Sequence, residues 1–406
     1  MSLSAKDLLR KLLRIPSINP VFTCDGVPGR GEADLTDFLQ RVAEEQGWGW
    51  LRQEVHPNRE NLVVIVPPSP EETGVPVTLW EVHQDTVGVE GMRIDPCEGF
   101  ESDGRIYGRG ACDVKGAMAA MIAALSWAAE QGSCHGTTLL AFTINEECGF
   151  TGAKALCRLW SDSHKTAEKT HGTLSLDELK QLRPQRAIVA EPTDLKVVVA
   201  HKGIVRWKCH TRGIAAHSSQ PQYGKNAIYA MNEVVRAIRQ FDEEVLISRG
   251  RECICGRPTV SVNTIQGGTG ANVVPDHAQI DIDRRLMPGE VPLDAYHEMI
   301  DFIASHIPST LEVEHEPAWN QSHGLQAGEN QQWAEEVAKI ARSTGIASEI
   351  VGVPYCTDAW VIASHGIPTV VFGPGSITQA HTDDEWISVE ELEKGVWAYR
   401  RLAGNA

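Results

Sequence analysis

VTLWEVHQD (77–85), followed by KGAMAAMIAALSWAAE (115–130) and TTLLAFTINEE (137–147), decides the fold. VTLWEVH and TTLLAFTI are apolar runs of strand length. The Ala-, Met- and Leu-rich segment between them predicts a buried helix ended by Gly132. A strand, a helix and a second strand in this order imply parallel neighbours joined by a crossover. NLVVIVP (61–67) and RAIVA (186–190) add further strands, and DLTDFLQRVAEEQ (34–46) a helix. The first part of the chain therefore reads as α/β, with a mostly parallel, doubly wound sheet. The polar stretch 161–185 carries no evident chemistry.

The pattern changes after Glu191. A long strand or strand pair (197–213), a helix (226–245), two strands (259–268 and 277–288), a helix (293–307) and a strand (310–317) follow. This β-α-β-β-α-β order is that of a ferredoxin-like α+β unit. Alternating helices and strands resume after about residue 325, and Ser388 with Glu391 predicts a capping box on the last helix. The expected organisation is a discontinuous domain, 1–194 and 318–406, carrying an inserted unit, 195–317.

A chain of 406 residues is long enough for two domains. Its net charge of −17 argues against nucleic acid and anionic membrane as partners. No run approaches the ~20 apolar residues of a membrane span. The start, MSLSAKDLLRKLLRIP, predicts a short amphipathic helix rather than a signal peptide. The ten cysteines include no Cys-x-x-Cys and one Cys253-x-Cys255, which predicts reduced thiols in a cytoplasmic protein.

Candidate metal ligands sit where predicted strands end. His83 closes VTLWEVH, Glu147 follows TTLLAFTI, Glu191 ends RAIVAE, and His381 lies in the loop after PTVVF. Asp113 follows the Gly-Arg-Gly turn before the buried helix. Taken singly, each has an ordinary explanation: a structural histidine, an N-cap aspartate, a solvated acidic turn. Together they reverse the odds, because an open α/β sheet brings its strand ends to one edge. Two His and three carboxylates suit two divalent ions, zinc above all, with cobalt or manganese as alternatives. One carboxylate can bridge ions ~3.5–4 Å apart. Glu146 remains as a spare carboxylate to serve as a base, and Asp85 is placed to accept the second imidazole N–H of His83.

The motifs HQDTV, GRGACDVKGAMAAM, NEECGFTG, AEP, RGIAAHSSQPQYGKNAI, ANVVPD, DRRLMP and AHTDDEWI, in that order, resemble those of the co-catalytic zinc amide hydrolases. That family includes acetylornithine deacetylase, succinyl-diaminopimelate desuccinylase, aminoacylase, glutamate carboxypeptidase and several dipeptidases. The resemblance implies that Asp113 bridges two metals, with His83 and Glu191 completing one site and Glu147 and His381 the other. It implies Glu146 as general base and then acid, Asp85 as the partner of His83, and the inserted unit as lid and dimer interface. His217 would stabilise the oxyanion, and Asn272 and Arg285 would hold the substrate α-carboxylate or developing charge. Read as residues alone, Arg284 and Arg285 could equally be a solvated pair. Asn145 before the two glutamates, and Cys97 with Glu98 in IDPCEGF, depart from the usual pattern and bear on the pocket. The expected reaction is hydrolysis of a linear amide, preferably of an N-acyl amino acid. An exopeptidase acting on short peptides is the nearest alternative, and a non-catalytic scaffold the most distant.

Overall fold

The computed structural model describes residues 3–22, 31–72, 75–160, 169–249 and 253–404. Residues 161–168, part of the polar stretch noted above, lie outside the described residues. The chain divides into two compact units: Met1–Val199 with Ala327–Val351 and Thr357–Ala406, and Ala200–Gln326 with Gly352–Cys356.

The first unit is built on a mixed sheet. Its centre is parallel: Thr369–Val371, Arg186–Val189, Val77–His83 and Thr137–Thr143 lie side by side in that order. Its flank is antiparallel, because Arg59–Val66 pairs Thr137–Thr143 and folds back as a hairpin onto Gly49–His56. The parallel pattern expected from sequence thus belongs to the central four strands. Helix Lys115–Glu130 is buried along nearly its whole length, as its small residues allow. None of the described helices is long and apolar enough to cross a membrane.

Two local expectations change. Helix Lys115–Glu130 starts without a side-chain cap, so Asp113 is not an N-cap. Ser388 does accept the Glu391 N–H, but the Glu391 carboxylate turns away and accepts the Gly375 N–H at 3.0 Å. The capping box is therefore half formed, and its glutamate holds the loop leading to His381.

The second unit has the ferredoxin-like sheet order, Thr259–Gly267, His277–Leu286, Gly203–Arg212, Glu312–His315, all antiparallel. Val205, Trp207 and Cys209 alternate inward with Ile280 and Ile282 to meet helices Ala227–Glu244 and Pro292–His306. The unit extends past the 317 boundary read from sequence. Asn320–Ser322 pairs with the Gly203–Arg212 strand, and Leu325 bridges His201. These pieces are too short to show a strand pattern of their own.

Candidate metal centre and active site

His83 ends a strand whose parallel neighbours deliver Glu146, Glu147 and Glu191 to the same edge. The Asp113 carboxylate stands between two imidazoles. Its Oδ1 lies 3.1 Å from His83 Nε2, and its Oδ2 lies 3.3 Å from His381 Nε2. Glu191 approaches His83 Nε2 at 4.0 Å, and Glu147 approaches His381 Nε2 at 3.1 Å. Two donor sets result, His83–Asp113–Glu191 and Asp113–Glu147–His381, with Asp113 common to both. The first is buried, while the second is open on the side of His381, whose side chain is 49% exposed.

These residues fit two small divalent cations. Tetrahedral donors at Zn–O and Zn–N bond lengths stand about 3.4 Å apart, and the separations above bracket that value. Charge points the same way. Among the described residues, the ion pairs of Asp113, Glu147 and Glu191 are with the two imidazoles. Burial and the neighbouring Glu191 raise the Glu146 carboxyl well above the usual carboxylate range. Burial and Asp113 do the same to Glu191. Hydrogen bonds to Asp113 and Glu147 lift the His381 imidazole to about 10. For Asp113, burial is outweighed by the two imidazoles, which hold it below the ordinary range. Protons crowd this cluster because it is starved of positive charge, which is the deficit cations fill.

The loops bearing the donors are gripped from behind. The Asp85 carboxylate is 3.6 Å from His83 Nδ1, and the imidazole N–H goes instead to the Asp85 main-chain carbonyl at 2.9 Å. The expected Asp85 partnership therefore runs through its backbone. Its carboxylate accepts the N–H groups of Glu146 and Glu147, at 3.0 and 3.2 Å. Glu385 does the same for the Asp113 loop, accepting from Cys112 N and Asp113 N at 2.9 and 3.0 Å while Arg109 neutralises it at 2.6 Å. Glu81, missed in the sequence reading, lies buried with Asp358. Thr143 Oγ donates toward both carboxyls, and burial raises both, Glu81 to about 7. A glutamate amid VTLWEVH was the available signal.

In the second unit, His217 and Asn272 come together on a two-stranded ribbon. His217 pairs with Val273, and Ser218 N donates to the Asn272 carbonyl. Ser219 N–H donates to His217 Nδ1 at 3.2 Å, an arrangement that leaves Nε2 as the ring nitrogen to serve as donor. Arg284 and Arg285 are not a solvated pair. Arg284 is fully buried against Glu298 and the Ala295 carbonyl. Arg285 lies on the opposite face, held by Asp283 at 2.9 Å and 29% exposed.

Residues 79–405 match the family described as peptidase family M20/M25/M40. An acetylornithine deacetylase of Myxococcus xanthus is 30% identical over 388 residues, covering 93% of both chains. An M20 family metallo-carboxypeptidase from Sulfolobus solfataricus superposes with a TM-score of 0.76 at 15% identity, over 99% of this chain and 98% of that one. A dinuclear metal-binding peptidase of the M20 family from Bacillus subtilis does so with a TM-score of 0.64 at 15% identity, over 98% and 96%. With the match spanning most of its length, the chain belongs to peptidase family M20/M25/M40 and is a metal-dependent hydrolase of amide bonds.

Proposed function

We propose that the chain deacylates an N-acyl amino acid. The observation that carries the hydrolytic chemistry is Asp113, with one carboxylate oxygen turned to each of two His-and-acid donor sets, and the acyl substrate follows the 30%-identical acetylornithine deacetylase. His83, Asp113 and Glu191 would hold one divalent cation, and Asp113, Glu147 and His381 the other, zinc being the best fit and cobalt or manganese acceptable. Bound there, the pair would polarise the acyl carbonyl and acidify water. Glu146 takes a proton from the water that attacks the carbonyl carbon. It returns that proton to the amine nitrogen as the C–N bond breaks. Its buried position beside both donor sets keeps the proton it takes from escaping to bulk water between the two steps.

His217 Nε2–H donates to the carbonyl oxygen as negative charge develops. Arg285, with Asn272, receives the substrate α-carboxylate, the pairing for which a guanidinium fork is best shaped. A hollow lined by Phe22, Val87, Glu90 and Arg109 opens beside His381 and would receive the amine half. The name of the 30%-identical relative favours acetylated amino acids such as acetylornithine. The carboxypeptidase likeness keeps short peptides as a second substrate class.

The second unit would act as lid and dimerisation domain. Its sheet ends in strand Thr259–Gly267, an open edge carrying Ile265 at 61% exposure, and the second copy of this chain is the occupant proposed for it. A cytoplasmic protein working on small molecules, without nucleic acid or membrane, accords with the acidic composition.

The test is hydrolysis of N-acetyl and N-succinyl amino acids and of dipeptides by zinc- or cobalt-loaded protein, with and without chelator. Chelator-sensitive cleavage of one acyl class is expected, and Glu146→Ala should bind metal yet lose ~10²–10⁴ in kcat. Cleavage of dipeptides alone would move the chain to the exopeptidase reading. Wild-type turnover in Glu146→Ala would remove it as the base.

A further inference from the structure

Behind the Glu146–Glu147 turn lies a hydrogen-bond frame that the mechanism above leaves unused. Three consecutive backbone N–H groups of the turn donate to buried carboxylates. Asn145 N donates to Glu32 Oε1 at 3.1 Å, Glu146 N to Asp85 Oδ1 at 3.0 Å, and Glu147 N to Asp85 Oδ2 at 3.2 Å. Arg59 joins the arms. Its Nε and Nη2 donate to the two oxygens of Glu32, and Nη2 also reaches Asn145 Oδ1 at 3.2 Å. Asn19 closes the ring, its Nδ2 lying 2.7 Å from Asp85 Oδ2 and 2.9 Å from Asn145 Oδ1. Asn19 and Glu32 are buried to 0% and 1% exposure.

Asn145 has φ 62°, in the left-handed region where asparagine is one of few side chains at ease. Its Nδ2 donates to Thr151 Oγ at 3.0 Å, so each polar atom of the side chain is tied down. Asn19, Glu32 and Arg59 all precede residue 79, where the family match begins.

We propose that Asn19, Glu32, Arg59 and Asn145 are positioning residues, which set where the Glu146 and Glu147 carboxylates stand by fixing the backbone that carries them. This rests on the reading of Glu146 as base and Glu147 as cation ligand. N–H donation to a carboxylate is the strong kind of hydrogen bond, and three in succession leave the turn little freedom. An Arg suits the junction because one Nη2 serves Glu32 and Asn145 at once; a lysine would keep the charge and lose the fork. Outer groups that orient a metal ligand are worth roughly 10–100-fold in metal affinity, and misplacing a reacting group by ~1 Å costs up to about 100-fold in rate.

The experiment is calorimetric titration of the metal-free full chain with cobalt(II), comparing wild type, Arg59→Lys and Asn145→Gly, with kcat and KM measured on the loaded proteins. Arg59→Lys retains the charge beside Glu32, and Asn145→Gly retains the left-handed backbone, so both are designed to fold. The frame predicts that one of the two cobalt equivalents weakens by roughly tenfold or more while the other stays within about twofold. It also predicts that kcat falls roughly tenfold with KM nearly unchanged. Variants whose cobalt affinities and kcat match wild type overturn the proposal. Equal weakening of both equivalents, the mark of a generally loosened fold, overturns it as well. A failure of the underlying reading is separable: there the wild type itself takes up no cobalt, or Glu146→Ala turns over normally.

Discussion

Arg284 and Arg285 are adjacent in sequence and opposite in consequence, and replacing each by alanine separates a structural role from a substrate role. Arg284 has a fully buried side chain. It donates to Glu298 at 2.8 Å, to Glu290 at 3.4 Å and to the Ala295 carbonyl, and its guanidinium lies 5.1 Å from the Phe241 ring centre. Arg284→Ala removes one side of that network and empties a packed site. Arg249 still pairs with Glu298 and Glu290, which softens the loss. Because Glu298 and Glu290 are partly exposed and stay paired, the expected destabilisation is about 1–3 kcal/mol. Among the described residues Arg285 has one carboxylate partner, Asp283, and Asp283 keeps Arg206 at 2.7 Å when Arg285 is removed. Arg285→Ala should therefore cost less than about 1 kcal/mol of stability. Its cost falls on the substrate: losing a charge-assisted contact of about 1.5–3 kcal/mol lowers kcat/KM by roughly 10–150-fold. Urea unfolding of the metal-free chains and kcat/KM on an N-acetyl amino acid measure the two effects. Wild-type kcat/KM in Arg285→Ala, or wild-type stability in Arg284→Ala, would refute the assignment.

Two more predictions concern the second unit. His217→Ala should lower kcat by roughly 10²–10³ with unchanged cobalt uptake and unfolding midpoint, since the residue is exposed and, among the described residues, its side chain bonds Ser219; a matching loss of cobalt would show a structural role instead. Buried His201 has its pKa lowered to about 4 by burial, so the folded chain resists a proton that the unfolded chain accepts near 6.5. Stability is then whole above pH 6.5 and is lost as pH falls toward 4, by about 3 kcal/mol from this residue. Urea unfolding with chelator present should accordingly show a shallower acid loss in His201→Leu than in wild type, and parallel pH profiles would contradict the idea.

The central strands were readable because each is a mainly apolar run of strand length, and two of them close on a His or an acid, as VTLWEVH and RAIVAE show. The hairpin partner Gly49–His56 was not, since GWLRQEVH mixes charges into a half-buried strand. Arg284 was readable in hindsight. It has the parity of Ile280 and Ile282, so strand periodicity alone sends it inward. The convergence of His83, Asp113, Glu191, Glu147 and His381 followed from strand-end logic. The grip of Asp85 on two backbone N–H groups did not, because a main-chain partner leaves no mark in a sequence. Glu32 and Arg59 were invisible for a related reason: each looks like an ordinary surface charge until the turn at Asn145 is folded against them.

The central claim is a two-cation centre sharing Asp113, and anomalous diffraction from zinc-soaked crystals tests it most directly. The account predicts two peaks about 3.5–4 Å apart, one at His83 and Glu191, the other at Glu147 and His381, each touching a different Asp113 oxygen. A single peak, or two peaks that do not share Asp113, would contradict it.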